Sequence, residues 1–155
     1  MAMELHVLSE RRLNSIGEWQ RAIDAEYFPL QLAANLRFET LSGFVPVRLE
    51  GKTCGFECYH DDATVVMNDD GELNFGRSWT YALSFRIAGD FAELRAAWMA
   101  ATAYAHATSG VVFDPQDDRL YDYKQAREAV REIERNWPVV EAAVQAAIRK
   151  IGAKS

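Results

Sequence analysis

The chain has 155 residues, 49% of them hydrophobic and 26% charged, enough to close one core without a disulfide or metal staple. Acidic residues outnumber basic ones by 23 to 17, and the net charge of -6 repels phosphate backbones and anionic lipid while favouring a basic partner. No stretch of 18 apolar residues occurs, and the opening MAMELHVLSERR lacks the apolar run of a signal peptide, so a cytoplasmic setting is expected, with no membrane and no nucleic acid.

A single domain over 1–155 is expected, with frayed ends at about 1–12 and 152–155. The first regular element is announced by Ser15 and Glu18, the spacing of a capping box, followed by Ile16, Trp19, Ile23 and Tyr27 at helical intervals. Pro29 stops that helix. From there the period drops to two: Leu30, Leu32, Ala34, Leu36 and Phe38 alternate with polar residues, as in a strand with one wet face. Val45, Val47 and Leu49 run up to Glu50-Gly51-Lys52, and Cys54, Phe56 and Cys58 run away from it, which is a hairpin pattern. Pro46 cannot donate to a ladder and points to an edge or a late start for the first of these strands.

A short run from Thr64 to Met67 leads into Asn68-Asp69-Asp70-Gly71, a strong turn sequence. Trp79, Tyr81, Leu83, Phe85 and Ile87 form the clearest alternation in the chain and predict its central strand, with Gly89 at the corner. Asp90 and Glu93 then cap a long alanine-rich helix whose inward residues are Phe91, Leu94, Trp98, Ala101 and Ala105. Arg95, Met99, Thr102 and His106 mark its other face. Gly110 is placed to take the left-handed conformation at its end, and Val111, Val112 and Phe113 form a strand closed by Asp114-Pro115. After a polar loop over 116–119, Asp122 and Gln125 start another helix with Ala126, Ala129, Val130 and Ile133 inward. Trp137-Pro138 is expected to break it before a last helix carrying Val140, Val144, Ala147, Ile148 and Ile151.

The predicted fold is α+β: an antiparallel or mixed sheet of about five strands, with the long central helix and the C-terminal helices packed on one face. The turns between residues 44 and 87 are too short for parallel crossovers.

Chemistry is harder to find than architecture. Cys54 and Cys58, four apart on one strand, lie about 13 Å apart, beyond the roughly 7 Å a disulfide spans. Cys58 and His60 supply two potential ligands where a metal site normally needs three or four. His6 and His106 have no partner fixed by spacing. The acidic clusters lack the alternating ligands of a calcium loop, and no G-x-S-x-G, Walker, G-x-G-x-x-G or H-E-x-x-H motif is present. No catalytic residue, metal or cofactor is therefore assigned.

Gly43-Phe44-Val45-Pro46-Val47, Gly55-Phe56-Glu57 and Gly110-Val111-Val112-Phe113-Asp114-Pro115-Gln116 together resemble segments of small acidic bacterial immunity proteins encoded beside secreted polymorphic toxins. The resemblance spans about residues 40–135 through short motifs. It implies a non-enzymatic protein that binds and neutralises a cognate toxin, and the net charge points to a basic contact surface on that toxin. The acids expected to meet that surface are Asp61, Asp62, Asp69, Asp70 and Glu72, on two turns at one end of the sheet. The alternative is a small-ligand-binding protein or an enzyme, which would show a cleft lined by titratable groups displaced from their ordinary pKa values.

Overall fold

A computed structural model describes residues 3–69, 73–88 and 90–153, with the side chains of 137–145 and 148–153 outside that description. The chain is α+β, and its sheet is antiparallel throughout. In chain order the elements are β1 (Met3–Ser9), α1 (Ile16–Ala25), β2 (Leu30–Leu32), a 3-10 turn over Phe38–Thr40, β3 (Ser42–Leu49), β4 (Lys52–Asp62), α2 (Ala63–Asp69), β5 (Tyr81–Ile87), α3 (Phe91–Thr108), β6 (Val111–Asp114), β7 (Arg119–Tyr121) and α4 (Tyr123–Ala153). The sheet has seven strands in the order β2-β3-β4-β5-β1-β6-β7 rather than the five expected.

Two of the additional strands come from segments read as irregular. Met3–Ser9, inside the stretch expected to fray, is β1, paired with β5 along its whole length and with β6 on its other side. Its alternation is hard to see because both of its faces are covered: Leu5 and Val7 join the main core, while Leu8 joins a second, smaller one. Arg119–Tyr121, placed partly in a polar loop, is edge strand β7. In the other direction, the strand expected from Leu30 to Phe38 is cut to Leu30–Leu32, and Phe38 instead opens the 3-10 turn.

The hairpin of β3 and β4 turns at Glu50 and Gly51, both at positive φ (52° and 79°), the two-residue geometry that suits strand twist. β3 is not an edge strand, since β2 lies outside it. The Pro46 carbonyl accepts from Ala33 N, one residue past the end of β2 (3.1 Å). Its missing N–H therefore faces the point where β2 has stopped.

Thr64–Met67 is helical, not extended. Asp62 Oδ1 accepts from Thr64 N (2.9 Å) at the start of α2, and Ala63 and Val66, three apart, turn together into the smaller core. Gly89 and the turn residues Asp70, Gly71 and Glu72 lie outside the described residues. Pro138 does not divide the last helix. α4 runs unbroken for 31 residues, one lost donor being a small part of so long a ladder. Its start is secured by a reciprocal capping box, Asp122 Oδ1 to Gln125 N (2.8 Å) and Gln125 Oε1 to Asp122 N (2.9 Å).

The main core lies between the sheet and α1, α3 and α4. Trp19 is at its centre, fully buried, edge-on to Phe38, Phe56, Phe85 and Tyr104, with its indole N–H donated to the Ala100 carbonyl (3.0 Å). The alanines of α3 permit that approach. Because other elements surround this helix, Met99 and Thr102, expected on its outer face, are fully buried. The left-handed residue ending α3 is Ser109 (φ 57°), not Gly110. Gly110 serves a different need: a Cβ there would stand 2.3 Å from the Leu8 carbonyl oxygen. The helices are not all on one face, for α2 covers the opposite side of the sheet together with Phe75.

Candidate functional site

The strand register builds the site on that second face. Side chains alternate across a strand, so Glu57, Tyr59 and Asp61 of β4, Arg86, Ser84 and Ala82 of β5, and Glu4, His6 and Leu8 of β1 share one side in matched rows. Phe113 of β6 extends the middle row beside His6. α2 and Phe75 cover one end of this surface over Leu8, Ala82 and Phe113. The other end stays open.

The opening contains two adjoining grooves. The larger, about 480 Å³, is lined by Glu4, His6, Asp61, Val65, Val66, Asp69, Phe113, Pro115 and Asp118. The smaller, about 300 Å³, shares Glu4, His6 and Asp61 and adds Tyr59, Ser84 and Arg86. Four carboxylates thus ring the larger groove, while Phe113, Val66 and Pro115 give it an apolar floor. Val65 stands at its rim, 58% exposed.

His6 is the group both grooves share. It is only 8% exposed, stacks on Phe113 (centroids 5.8 Å apart, planes at 23°), and its Nδ1 hydrogen-bonds with Ser84 Oγ (2.7 Å). Its Nε2 stands 3.8 Å from Glu4 Oε2, outside hydrogen-bonding range. Burial lowers the His6 pKa, and nearby Glu4, Asp61 and Asp69 oppose that shift. Arg86 approaches Glu4 (3.8 Å) from the smaller groove and supplies positive charge on that side only.

The backbone of Glu4 is fixed from the sequence motif at the end of β6. Gln116 receives the Glu4 N–H on Oε1 and donates Nε2 to the Glu4 carbonyl (both 2.8 Å), imitating one more residue of strand. Asp114 Oδ1 accepts in turn from Gln116 N (3.0 Å) and Nε2 (2.6 Å). In the other motif, Gly55 makes room for the exposed Phe44 ring, 2.3 Å from where a Cβ would stand. The segments that carry the resemblance are therefore structural, and one of them positions a residue of the groove.

Of the acids singled out in the sequence, Asp61 and Asp69 meet in this groove. Neither lies on a turn: Asp61 and Asp62 end β4, and Asp69 ends α2. Asp62 caps α2, and strand alternation points it to the opposite face from Asp61. Asp70 and Glu72 lie outside the described residues. Glu4, Ser84 and Asp118 were not singled out for the site and His6 had no partner fixed by spacing, because the site has no local signal: cross-strand register joins His6 to Ser84 across 78 residues, and the loop before β7 brings Asp118.

The remaining candidates are structural. Cys54 and Cys58 are free thiols, and burial pushes Cys58 well above its ordinary range. His60 Nε2 lies 2.6 Å from the Phe38 carbonyl oxygen. His106 pairs with Glu26 and stacks on Tyr123, with centroids 3.9 Å apart. Among the described residues no three His, Cys, Asp or Glu side chains converge as metal ligands, and no helix is long and apolar enough to cross a membrane.

Comparison of the chain with protein-family models, with curated proteins and with solved structures finds no match.

Proposed function

We propose that this is a binding protein of the immunity type, which neutralises a cognate bacterial toxin by holding a basic part of its surface in the groove beside His6. The observation that carries the reading is the pairing of an acidic rim, Glu4, Asp61, Asp69 and Asp118, with an apolar floor. Such a surface attracts cationic partners at long range and offers buried area once they arrive. The negative net charge acts in the same direction.

A second reading is favoured by one specific contact. The His6–Ser84 hydrogen bond, with Glu4 beyond the other ring nitrogen, has the order of groups found in an activated serine. Against it, Ser84 is 5% exposed in the middle of the central strand, and both neighbouring strands pair with that position. Its surroundings thus commit their N–H groups to ladders instead of to an oxyanion.

The test is to produce the protein with the toxin domain encoded by the neighbouring reading frame. The binding reading expects a stoichiometric complex in which the toxin is inactive, and an isolated protein that hydrolyses no ester or amide substrate. Turnover that disappears in Ser84→Ala would establish the second reading instead.

A further inference from the structure

We infer that the occupant of the larger groove is a single arginine side chain of the partner, its guanidinium lodged between His6 Nε2 and the carboxylates of Asp61 and Asp69. This rests on the binding reading above and names the group that is bound. Three features of the groove select a guanidinium. First, His6 is held by Ser84 through Nδ1, and its Nε2, with Glu4 Oε2 3.8 Å away and no hydrogen-bond partner among the described residues, is left facing a groove. In the proposed complex the ring donates Nδ1–H to Ser84 Oγ, which leaves the Nε2 lone pair for the occupant.

Second, the apolar lining, with Phe113 and Val66 buried beneath and Pro115 and Val65 nearer the surface, suits a weakly hydrated planar cation better than an ammonium, which would have to give up tightly held water. Third, the acceptors are divided between a ring nitrogen and carboxylates on separate elements, β1, β4 and α2. A fork of five N–H donors can serve them together. Arg86 lines only the smaller groove, so its charge directs the occupant toward the α2 side.

Protonation of His6 should expel the occupant. The groups that face the ring are Glu4 on its own strand, Tyr59 and Asp61 on β4, Ser84 and Arg86 on β5, Phe113 on β6, Asp69 on α2 and Asp118 beyond β6. Once the ring holds a second proton, Nε2 turns from acceptor to donor and adds a positive charge beside the guanidinium. Burial already lowers the His6 pKa, which favours the neutral ring at neutral pH.

The experiment is an NMR titration of the isolated protein, reading the ring nitrogens of His6, with N-acetyl-arginine N-methylamide as the probe and the lysine analogue as control. The expected result is a saturable shift at Nε2 with the arginine probe, at least threefold weaker apparent affinity for lysine, and a further fall in the His6 pKa when the probe is bound. Asp61→Asn, at an exposed strand end, should reduce the arginine affinity by about tenfold with the His6–Ser84 contact intact. Equal, non-saturating responses to both probes would mean diffuse charge attraction and overturn the inference, as would an unmoved ring. If the ring stays unmoved while the toxin complex forms, the binding reading survives and only the arginine assignment fails. If the probe binds while the neighbouring toxin does not, the groove keeps its ligand class and the immunity reading fails.

Discussion

His6 is buried in the sheet and lines the groove proposed for binding. Its pKa is lowered from 6.5 by burial, so as the pH falls the unfolded chain takes up the proton before the folded one does. Stability should therefore decline from about pH 6.5 down to the folded pKa and then stop changing on its account. His60, also lowered chiefly by burial, adds a parallel contribution. Unfolding free energies measured by urea across pH 5 to 8 should lose part of this slope in His6→Gln, because glutamine does not titrate; an unaltered slope would show that His6 is not buried neutral. The end of α3 offers a second test. Gly110→Ala should destabilise by about 2 kcal/mol or more, since its Cβ would press on the Leu8 carbonyl. Ser109→Gly should stabilise by up to about 1 kcal/mol by relieving a left-handed residue. Thermal melts of the pair decide, and the reverse order would return the left-handed role to Gly110. Sequence identifies glycine as the usual left-handed residue; it does not reveal that a neighbouring strand needs its missing Cβ.

Elements whose signals are local were legible. The capping residues Ser15, Asp90 and Asp122 all start helices, although Glu18 and Glu93 reach past the cap to Asn14 N (3.1 Å) and Ala88 N (3.1 Å). The central strand was readable because Leu83, Phe85 and Ile87 face one large core, although Tyr81, expected beside them, is exposed and Trp79 precedes the strand and packs on the smaller core. β1 was not, since covering both faces erases its alternation, and α2 was hidden among β-branched residues that tertiary packing overrides. The groove was legible only as two of its acids, Asp61 and Asp69. Contacts between elements have no local signal at all, as the ends of α1, α3 and α4 illustrate. Glu26, whose side chain is 3% exposed, accepts from Arg127 Nε (2.8 Å) and pairs with its terminal nitrogen (2.6 Å), while His106 closes the other side. Arg127→Ala leaves that carboxylate buried with half its partners and should cost about 2 kcal/mol, less than a fully buried pair because Arg127 is a third exposed. Denaturant unfolding of R127A checks this, and a loss below about 0.5 kcal/mol would mark the cluster as a surface pair.

The molecule as a whole is a sheet with a deep core on one side and a partly covered, acid-rimmed face on the other. The net charge of -6 belongs to the whole chain; the groove beside β1 and β4 is lined by four of its acids, Glu4, Asp61, Asp69 and Asp118. Since Asp61 and Asp69 are exposed at the ends of their elements, reversing both to lysine should leave folding nearly unchanged. It should still change how the surface attracts the basic partner proposed above. The most direct measurement is the association rate with the toxin proposed as its partner, by stopped flow over a series of ionic strengths, for the native protein and for Asp61→Lys/Asp69→Lys. The account predicts an association about tenfold slower at low salt, with a flattened salt dependence. Equal rates and equal salt dependence for the two proteins would contradict it.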